Sequence, residues 1–283
     1  MTALIAKAKA LEIEGISTYC YTGSYEIPIK TITDSIKKDL MMIDKIIGVG
    51  EVALSDHRSS QPTYEEFLRV VSQARVGGLL SGKSGIVNVH LGGRKNKLDY
   101  LFKLIEETEI PPTQLLPTHI NRNNILFKEG LEYVRRGGYI DLTTSSDPKH
   151  LEPGEISASK GLKIFVDEGL PIEHLTFTSD GNGSMPKFDA DGRDAGIGIC
   201  KVDTLYEEVR KAILEEKVPI EKAIKVITSN VANILCLYDK GRIDKGMSAD
   251  FVTVDEETLE IQDVYAKGSF LVKNREIVVN GTF

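Results

Sequence analysis

Residues 85–90, G-I-V-N-V-H, and residues 115–119, L-L-P-T-H, each carry an apolar run into a histidine, and residues 175–180, L-T-F-T-S-D, carry one into an aspartate. A fourth run, I-I-G-V-G at residues 46–50, leads into Glu51. Short apolar runs bounded by turn residues read as buried strands. A single ligand-type residue at a strand end carries little weight, but His90, His119, Asp180 and Glu51 together point to one face of a barrel. When parallel strands are each followed by a helix, all their carboxyl ends open on the same rim. Two imidazoles and two carboxylates are ligand types that hold Zn²⁺ and leave a position for water, so a metal-dependent hydrolase is the first expectation. Taken singly, His90 or His119 reads as a hydrogen-bonded core histidine and Asp180 as a turn cap; their joint placement favours a site.

Around these runs, helix-period and strand-like segments alternate. Residues 2–14 read as a helix ended by Gly15, and residues 16–21 as a strand. Thr33 is placed to cap a helix carrying Ile36, Leu40, Ile43 and Ile47. Pro62 and Thr63 introduce a helix with Phe67, Val71 and Ala74 on one face, followed by a glycine-rich turn over residues 77–85. Helices over residues 98–107, 125–135 and 154–168 alternate with strands over residues 115–118, 139–142 and 175–178. Six strand-to-helix cycles imply a parallel α/β sheet, here a (β/α)8-type TIM barrel. Helices over residues 204–216 and 220–237 precede a change of texture at Gly241, after which short alternating strands dominate. The expected division is residues 1–238 as barrel and residues 239–283 as part of a small β-sandwich. A chain of 283 residues suits one barrel with an appendage, because such barrels take ~250 residues.

Composition narrows the partners. Apolar residues make up 41% and charged residues 27%, which fits a packed globular chain rather than a disordered one. A net charge of -7 disfavours nucleic acid and anionic lipid, both of which reward basic surfaces. Cys20, Cys200 and Cys236 are sparse and lack C-x-x-C spacing, which suits a reducing compartment and makes the cytoplasm the expected location. No run approaches a membrane span, and Lys7, Lys9, Glu12 and Glu14 interrupt any export signal. One motif competes from another functional class. Residues 77–84, G-G-L-L-S-G-K-S, fit the phosphate-binding pattern G-x-x-x-x-G-K-[ST] and would make a nucleotide-binding module. That loop cradles phosphate only between an entering strand and a leaving helix, whereas here a helix enters and a strand leaves.

The run K-G-R-I-D-K-G-M-S-A-D-F-V-T-V-D at residues 240–255 resembles the closing signature of the amidohydrolase superfamily. S-D-H-R-S at residues 55–59, L-P-T-H-I-N-R-N at 116–123 and S-D-G-N-G-S at 179–184 resemble the isoaspartyl dipeptidases, with similarity nearly end to end. That family cleaves β-aspartyl dipeptides with two zinc ions. The resemblance implies that His90 and His119 ligate one metal, that Asp180 ligates the other and moves protons, and that Glu51 bridges them. It further implies that Arg58 and Arg122 hold the carboxylate of the leaving amino acid, Tyr25 faces the developing oxyanion, and Ser184 meets the aspartyl end. A guanidinium fork matches a carboxylate bidentately, which a lysine cannot do.

Two departures from the family pattern bear on chemistry. Most relatives carry a carboxylated lysine at the bridging position, where this chain has the shorter Glu51; I-G-V-G-E is compatible with a bulge that would bring it into reach. The family's His-x-His is absent, the five histidines being His57, His90, His119, His150 and His174. The chain is therefore expected to lack the first two barrel strands and to retain one zinc rather than two, and exposed sheet edges make a homo-oligomer the expected state. The alternative reading is an inactive remnant that serves as a subunit or interaction protein.

Overall fold

The computed structural model describes residues 1–145, 154–188 and 194–281, so that His150 lies outside the described residues. Six parallel strands form the frame: β1 (Cys20–Thr22), β2 (Ile46–Leu54), β3 (Ile86–Leu91), β4 (Leu115–Thr118), β5 (Ile140–Thr143) and β6 (Leu175–Thr178). β1 to β4 pair in chain order, and β5 pairs with β6. Polar bridges join β4 to β5. Thr118 Oγ1 donates to Asp141 Oδ1 at 2.7 Å, and the Asn121 amide closes on the Thr143 backbone N and O, both at 2.9 Å. Parallel strands require crossovers. After α1 (Thr2–Ile13) these are α2 (Ile36–Met42), α3 (Tyr64–Ser81), α4 (Asp99–Glu107), α5 (Asn124–Arg135) and α6 (Ala158–Asp167). The chain then forms a hairpin, β7 (Ser184–Phe188) with β8 (Asp194–Ile199), and the helices α7 (Thr204–Leu214), α8 (Ile220–Ala223) and α9 (Ser229–Ile234). An antiparallel sheet of β9 (Phe251–Val254), β10 (Ile261–Ala266), β11 (Ser269–Lys273) and β12 (Glu276–Ile277) ends the described chain. Among the described residues no helix is long and apolar enough to cross a membrane.

Side chains alternate across a strand, and that alternation splits the core into two layers. Val87, Val89 and Leu91 of β3 join Ile140, Leu142 and Leu175 beneath the helices, against Phe67, Leu101 and Phe165. Burying each such aliphatic side chain contributes ~1.5–3 kcal/mol. Ile86 and Leu116 face the opposite way, into a smaller cluster with Ile234, Tyr21, Tyr139 and Leu235. α9 closes the end of the barrel where the strands begin: Ser84 Oγ donates to Ile234 O at 2.9 Å, and Asn230 Nδ2 donates to Ile172 O and Leu175 O at 2.6 and 2.8 Å.

The elements differ from the sequence expectation in four places. Ser35, not Thr33, caps α2 through Lys38 N; the hydroxyl and backbone of Thr33 are held instead by Asp39 at 2.7 and 2.8 Å. The glycine-rich turn begins later, because Gly77 and Gly78 lie inside α3 and only Gly82 adopts the left-handed cap. The helix expected over residues 220–237 is broken into α8, a 3-10 turn at Ile224–Ile227, and α9. The β7–β8 hairpin has no counterpart in the apolar pattern, since its second strand, D-A-G-I-G-I, exposes Ile197 and Ile199 instead of burying them.

The phosphate-loop look-alike is taken up entirely by packing. A Cβ at Gly77 would meet Leu40 Cδ1 at 2.7 Å, and one at Gly78 would meet Gly85 Cα at 2.8 Å, so the first glycine makes room for a core side chain and the second for neighbouring backbone. Lys83 Nζ donates to Leu40 O, Ile43 O and Ile46 O at 2.7, 2.7 and 2.9 Å, which satisfies the carbonyls at the end of α2 and the start of β2. A cation at a helix C-terminus is also favoured by the helix dipole. We expect Lys83→Met to destabilise the fold by about 1–3 kcal/mol in urea unfolding, with ATP leaving the wild-type melting temperature unchanged. Stabilisation by ATP that is lost in the variant would contradict the structural role.

Candidate metal centre and active site

Strand periodicity brings the candidate ligands together. Along β3, Ile86, Asn88 and His90 face the interior at i, i+2 and i+4, from the closed end to the rim. On β2 the same period would put Glu51 on the face of Val49, toward the helices. It does not, because Val49 pairs with Val87 and Val52 with Val89, leaving one extra residue in β2. This bulge shifts the phase, so that Val49 and Val52 both join the helix-side core and Glu51 is freed toward the rim. Gly50 makes it possible: a Cβ there would stand 2.9 Å from Asn88 Cβ and 3.1 Å from Asn88 O. His119 and Asp180 follow their strands at φ of 64° and 50°, left-handed positions that are uncommon for such residues and recur at functional sites.

Donor atoms of Glu51, His90 and His119 all lie within 4.8 Å of one another. Glu51 Oε1 is 3.3 Å from His90 Nδ1 and 3.2 Å from His119 Nε2. Burial pushes the Glu51 carboxyl up, but the bonds to His119 and His90 outweigh it and bring the group down to about 2. His119 is lowered, chiefly by burial and against the pull of Glu51, and so favours the neutral imidazole that a metal needs. Its Nδ1 lies 2.6 Å from Thr143 Oγ1, which leaves Nε2 for the cluster. Two imidazoles and a carboxylate with room beside them fit Zn²⁺. Asp180 stands outside this three-residue cluster but on the same cavity of about 380 Å³, which Glu51 and His119 also line. Burial raises its carboxyl, with His119 opposing and Glu51 reinforcing that shift.

The remaining expected residues divide. Tyr25 Oη is 2.9 Å from His90 Nδ1, directly at the cluster. Arg122 sits beside it electrostatically, lowering His119, and its buried Nε has no hydrogen-bond partner among the described residues. Arg58 holds Asp56 with Nε and Nη2 at 3.0 and 2.9 Å, and its guanidinium lies 5.4 Å from the Tyr25 ring centroid. Ser184 opens β7 in an exposed position paired with Ile199 and is not among the residues lining this cavity. His57, 72% exposed, lies 3.5 Å from Asp56 Oδ1.

Sequence reasoning missed Asp56, Thr143, Asn121 and Asp141. Asp56 was visible within S-D-H-R-S, but nothing in the spacing distinguishes it from a turn residue. Asp141 lies one layer deeper in the same cavity, 4% exposed, and accepts from Thr118 and Thr176 at 2.7 and 2.6 Å. Burial lifts its carboxyl to about 7, the two threonines pull it back, and the charges of Glu51 and Asp180 push it up again. From the ordinary 3.8 to about 7, the folded chain keeps a proton that the unfolded chain has released. Asp141 therefore makes stability fall as pH rises through that window, by up to roughly 4 kcal/mol, and has no further effect above it. We expect Asp141→Asn to flatten the decline in metal-free protein, read by urea unfolding between pH 4 and 8. An unchanged slope would contradict a neutral buried Asp141.

No protein-family model matches the chain. Solved structures do. The β-aspartyl dipeptidase of the thermophilic keratin degrader Fervidobacterium islandicum AW-1, in complex with β-Asp-Leu, superposes with a TM-score of 0.91 at 46% identity, covering 100% of this chain and 73% of that one. A second structure of that enzyme gives 0.89 at 44%, covering 100% and 71%. D-hydantoinase from Bacillus sp. AR9, at 15% identity and a TM-score of 0.59 over 99% of this chain and 76% of that one, shares the fold alone. At 46% identity along its whole length, the chain belongs to the β-aspartyl dipeptidase family of amidohydrolases.

Proposed function

We propose that the chain hydrolyses β-aspartyl dipeptides with one zinc ion held by Glu51, His90 and His119. Residues 1–238 would form the catalytic barrel and residues 239–283 part of an appended β-sandwich. The observation that carries this reading is the three-donor cluster on a cavity shared with Asp180, in a chain 46% identical to an enzyme captured with β-Asp-Leu. When bound there, zinc lowers the pKa of water towards ~7 and polarises an amide carbonyl.

The chain's own groups take the remaining roles. Asp180, raised by burial, accepts a proton from the attacking water and passes it to the leaving nitrogen. Tyr25 Oη, at the cluster edge, donates to the developing oxyanion, a contribution of ~2.7–4 kcal/mol for donors of this kind. Arg122, with its idle buried Nε, binds the substrate carboxylate, and Arg58 supports it with the donors it does not spend on Asp56. Ser184 takes the aspartyl end of the substrate. One metal is proposed rather than two because Glu51, His90 and His119 form the one such cluster found among the described residues. Free Cys20, Cys200 and Cys236 support a reducing compartment such as the cytoplasm. Exposed Met42, Leu79 and Leu80 support self-association.

The test is hydrolysis of β-Asp-Leu by zinc-supplemented protein alongside metal analysis. We expect one tightly held zinc per chain, measurable turnover, and a loss of about 10²–10⁴-fold in Asp180→Asn with zinc content unchanged. Two tightly held zincs would overturn the one-metal assignment. Absence of turnover in fully loaded protein would favour a non-catalytic subunit.

A further inference from the structure

We infer that Asp56 decides which nitrogen of His90 carries the proton, and so turns the lone pair of Nδ1 toward Glu51 and His119. The inference rests on the reading of those three residues as a metal cluster and adds a positioning residue to it. Asp56 is 6% exposed. Its Oδ1 accepts Arg58 N at 2.8 Å, closing a tight turn over residues 56–58, and Arg58 Nε at 3.0 Å; its Oδ2 accepts Arg58 Nη2 at 2.9 Å. The turn is the local hydrogen bond that aspartate favours, from its side chain to a backbone N–H two residues on. Forked by Arg58 on one side, the carboxylate presents Oδ2 to His90 Nε2 at 3.1 Å on the other.

A carboxylate paired with a guanidinium only accepts, so this contact is a hydrogen bond when Nε2 carries the hydrogen. Nδ1 is then bare and faces Tyr25 Oη at 2.9 Å and Glu51 Oε1 at 3.3 Å. The tyrosine hydroxyl donates to it in the absence of a better partner. Arg58 Nη2 also lies 3.1 Å from Nε2 and would favour the opposite tautomer. The carboxylate prevails. Either tautomer sets one carboxylate against a lone pair, Asp56 Oδ2 at 3.1 Å from Nε2 or Glu51 Oε1 at 3.3 Å from Nδ1; Asp56 is the nearer, and a bare Nδ1 is capped by the Tyr25 hydroxyl at 2.9 Å. With Nε2 protonated, Arg58 forgoes only its contact to His90 while keeping both side-chain bonds to Asp56. On His119 it is Nδ1 that is occupied, by the Thr143 hydroxyl at 2.6 Å, so Nε2 is the nitrogen turned to Glu51. The two imidazoles thus offer opposite nitrogens, Nδ1 and Nε2, to one carboxylate. Outer partners of ligating histidines fix tautomer and ring orientation and typically change metal affinity 10–100-fold.

The test reads the tautomer directly. In wild-type protein stripped of metal and held at pH 8, where imidazole is neutral, long-range proton–nitrogen NMR of the histidine rings should show His90 protonated on Nε2. The resonance is assigned by its loss in His90→Gln. Asp56→Ala should shift His90 toward protonation on Nδ1 and weaken zinc 10–100-fold in competition with a chromogenic chelator. Wild-type His90 protonated on Nδ1 would overturn the inference, as would an Asp56→Ala variant with unchanged tautomer and zinc affinity. If that variant fails to fold, the wild-type spectrum still decides. Zinc failing to bind a wild type that shows the Nε2 proton would count against the metal reading and leave the role of Asp56 standing.

Discussion

A single extra residue in β2 sets the chemistry of the rim. The bulge at Gly50 and Glu51 breaks the two-residue period of the strand, keeping Val49 and Val52 in the helix-side core while Glu51 reaches the two imidazoles. Without that phase shift the carboxylate would point into an apolar layer, where an unpaired charge costs several kcal/mol. With it, Glu51 replaces solvent by two ring nitrogens, and its carboxyl falls to about 2 despite burial. The small volume of Gly50 against Asn88 permits the two strands to stay paired around the bulge.

Around that interaction the barrel is arranged in depth. Apolar residues under α9 close the end where the strands begin; a polar layer of Asn88, Thr118, Asp141 and Thr176 follows, and the ligand-type residues stand at the rim. Along β3 each layer is the next step of two, whereas His119 and Asp180 lie past the ends of their strands at left-handed φ values of 64° and 50°. Lateral supports hold the rim in place: Thr143 and Asp56 on the histidines, and Asn121 clamped to the Thr143 backbone. The loop that carries Tyr25 returns to Asp39, which accepts from Thr22, Ile32 and Thr33 and is fully buried. Rigid supports of this kind matter because loosening a site by an ångström is costly to both metal binding and catalysis.

Much of this was legible beforehand, and the reasons are particular. His90, His119 and Asp180 could be placed because each ends a run of apolar residues that has only one way to be buried, and the bulge was visible as an added glycine before Glu51. Pro62 and Thr63 mark a helix start in the sequence, and in the structure Thr63 caps α3 through a capping box with Glu66, which is local chemistry. The failures arise where tertiary contacts outrank local pattern. Thr33 loses its cap role to Ser35 because Asp39 claims it, and the helix over residues 220–237 breaks at Thr228, after which α9 is anchored by the Asn230 side chain on the backbone of Ile172 and Leu175. The roles of Asp56 and Asp141 are not local, because His90 and Thr176, the partners that reveal them, lie 34 and 35 residues away in the chain. The phosphate-loop look-alike illustrates the converse: all four of its specified positions satisfy a motif, yet Lys83 spends its donors on backbone carbonyls.

The central claim is that one cation binds through two imidazoles and the carboxylate that the bulge delivers. X-ray absorption at the zinc edge, on protein loaded with one equivalent of zinc, measures that ligand set directly. The account predicts scattering from two imidazole rings with the remaining positions filled by oxygen, and loss of one imidazole in His90→Gln. A spectrum with no imidazole contribution, or one unchanged by that substitution, would contradict it.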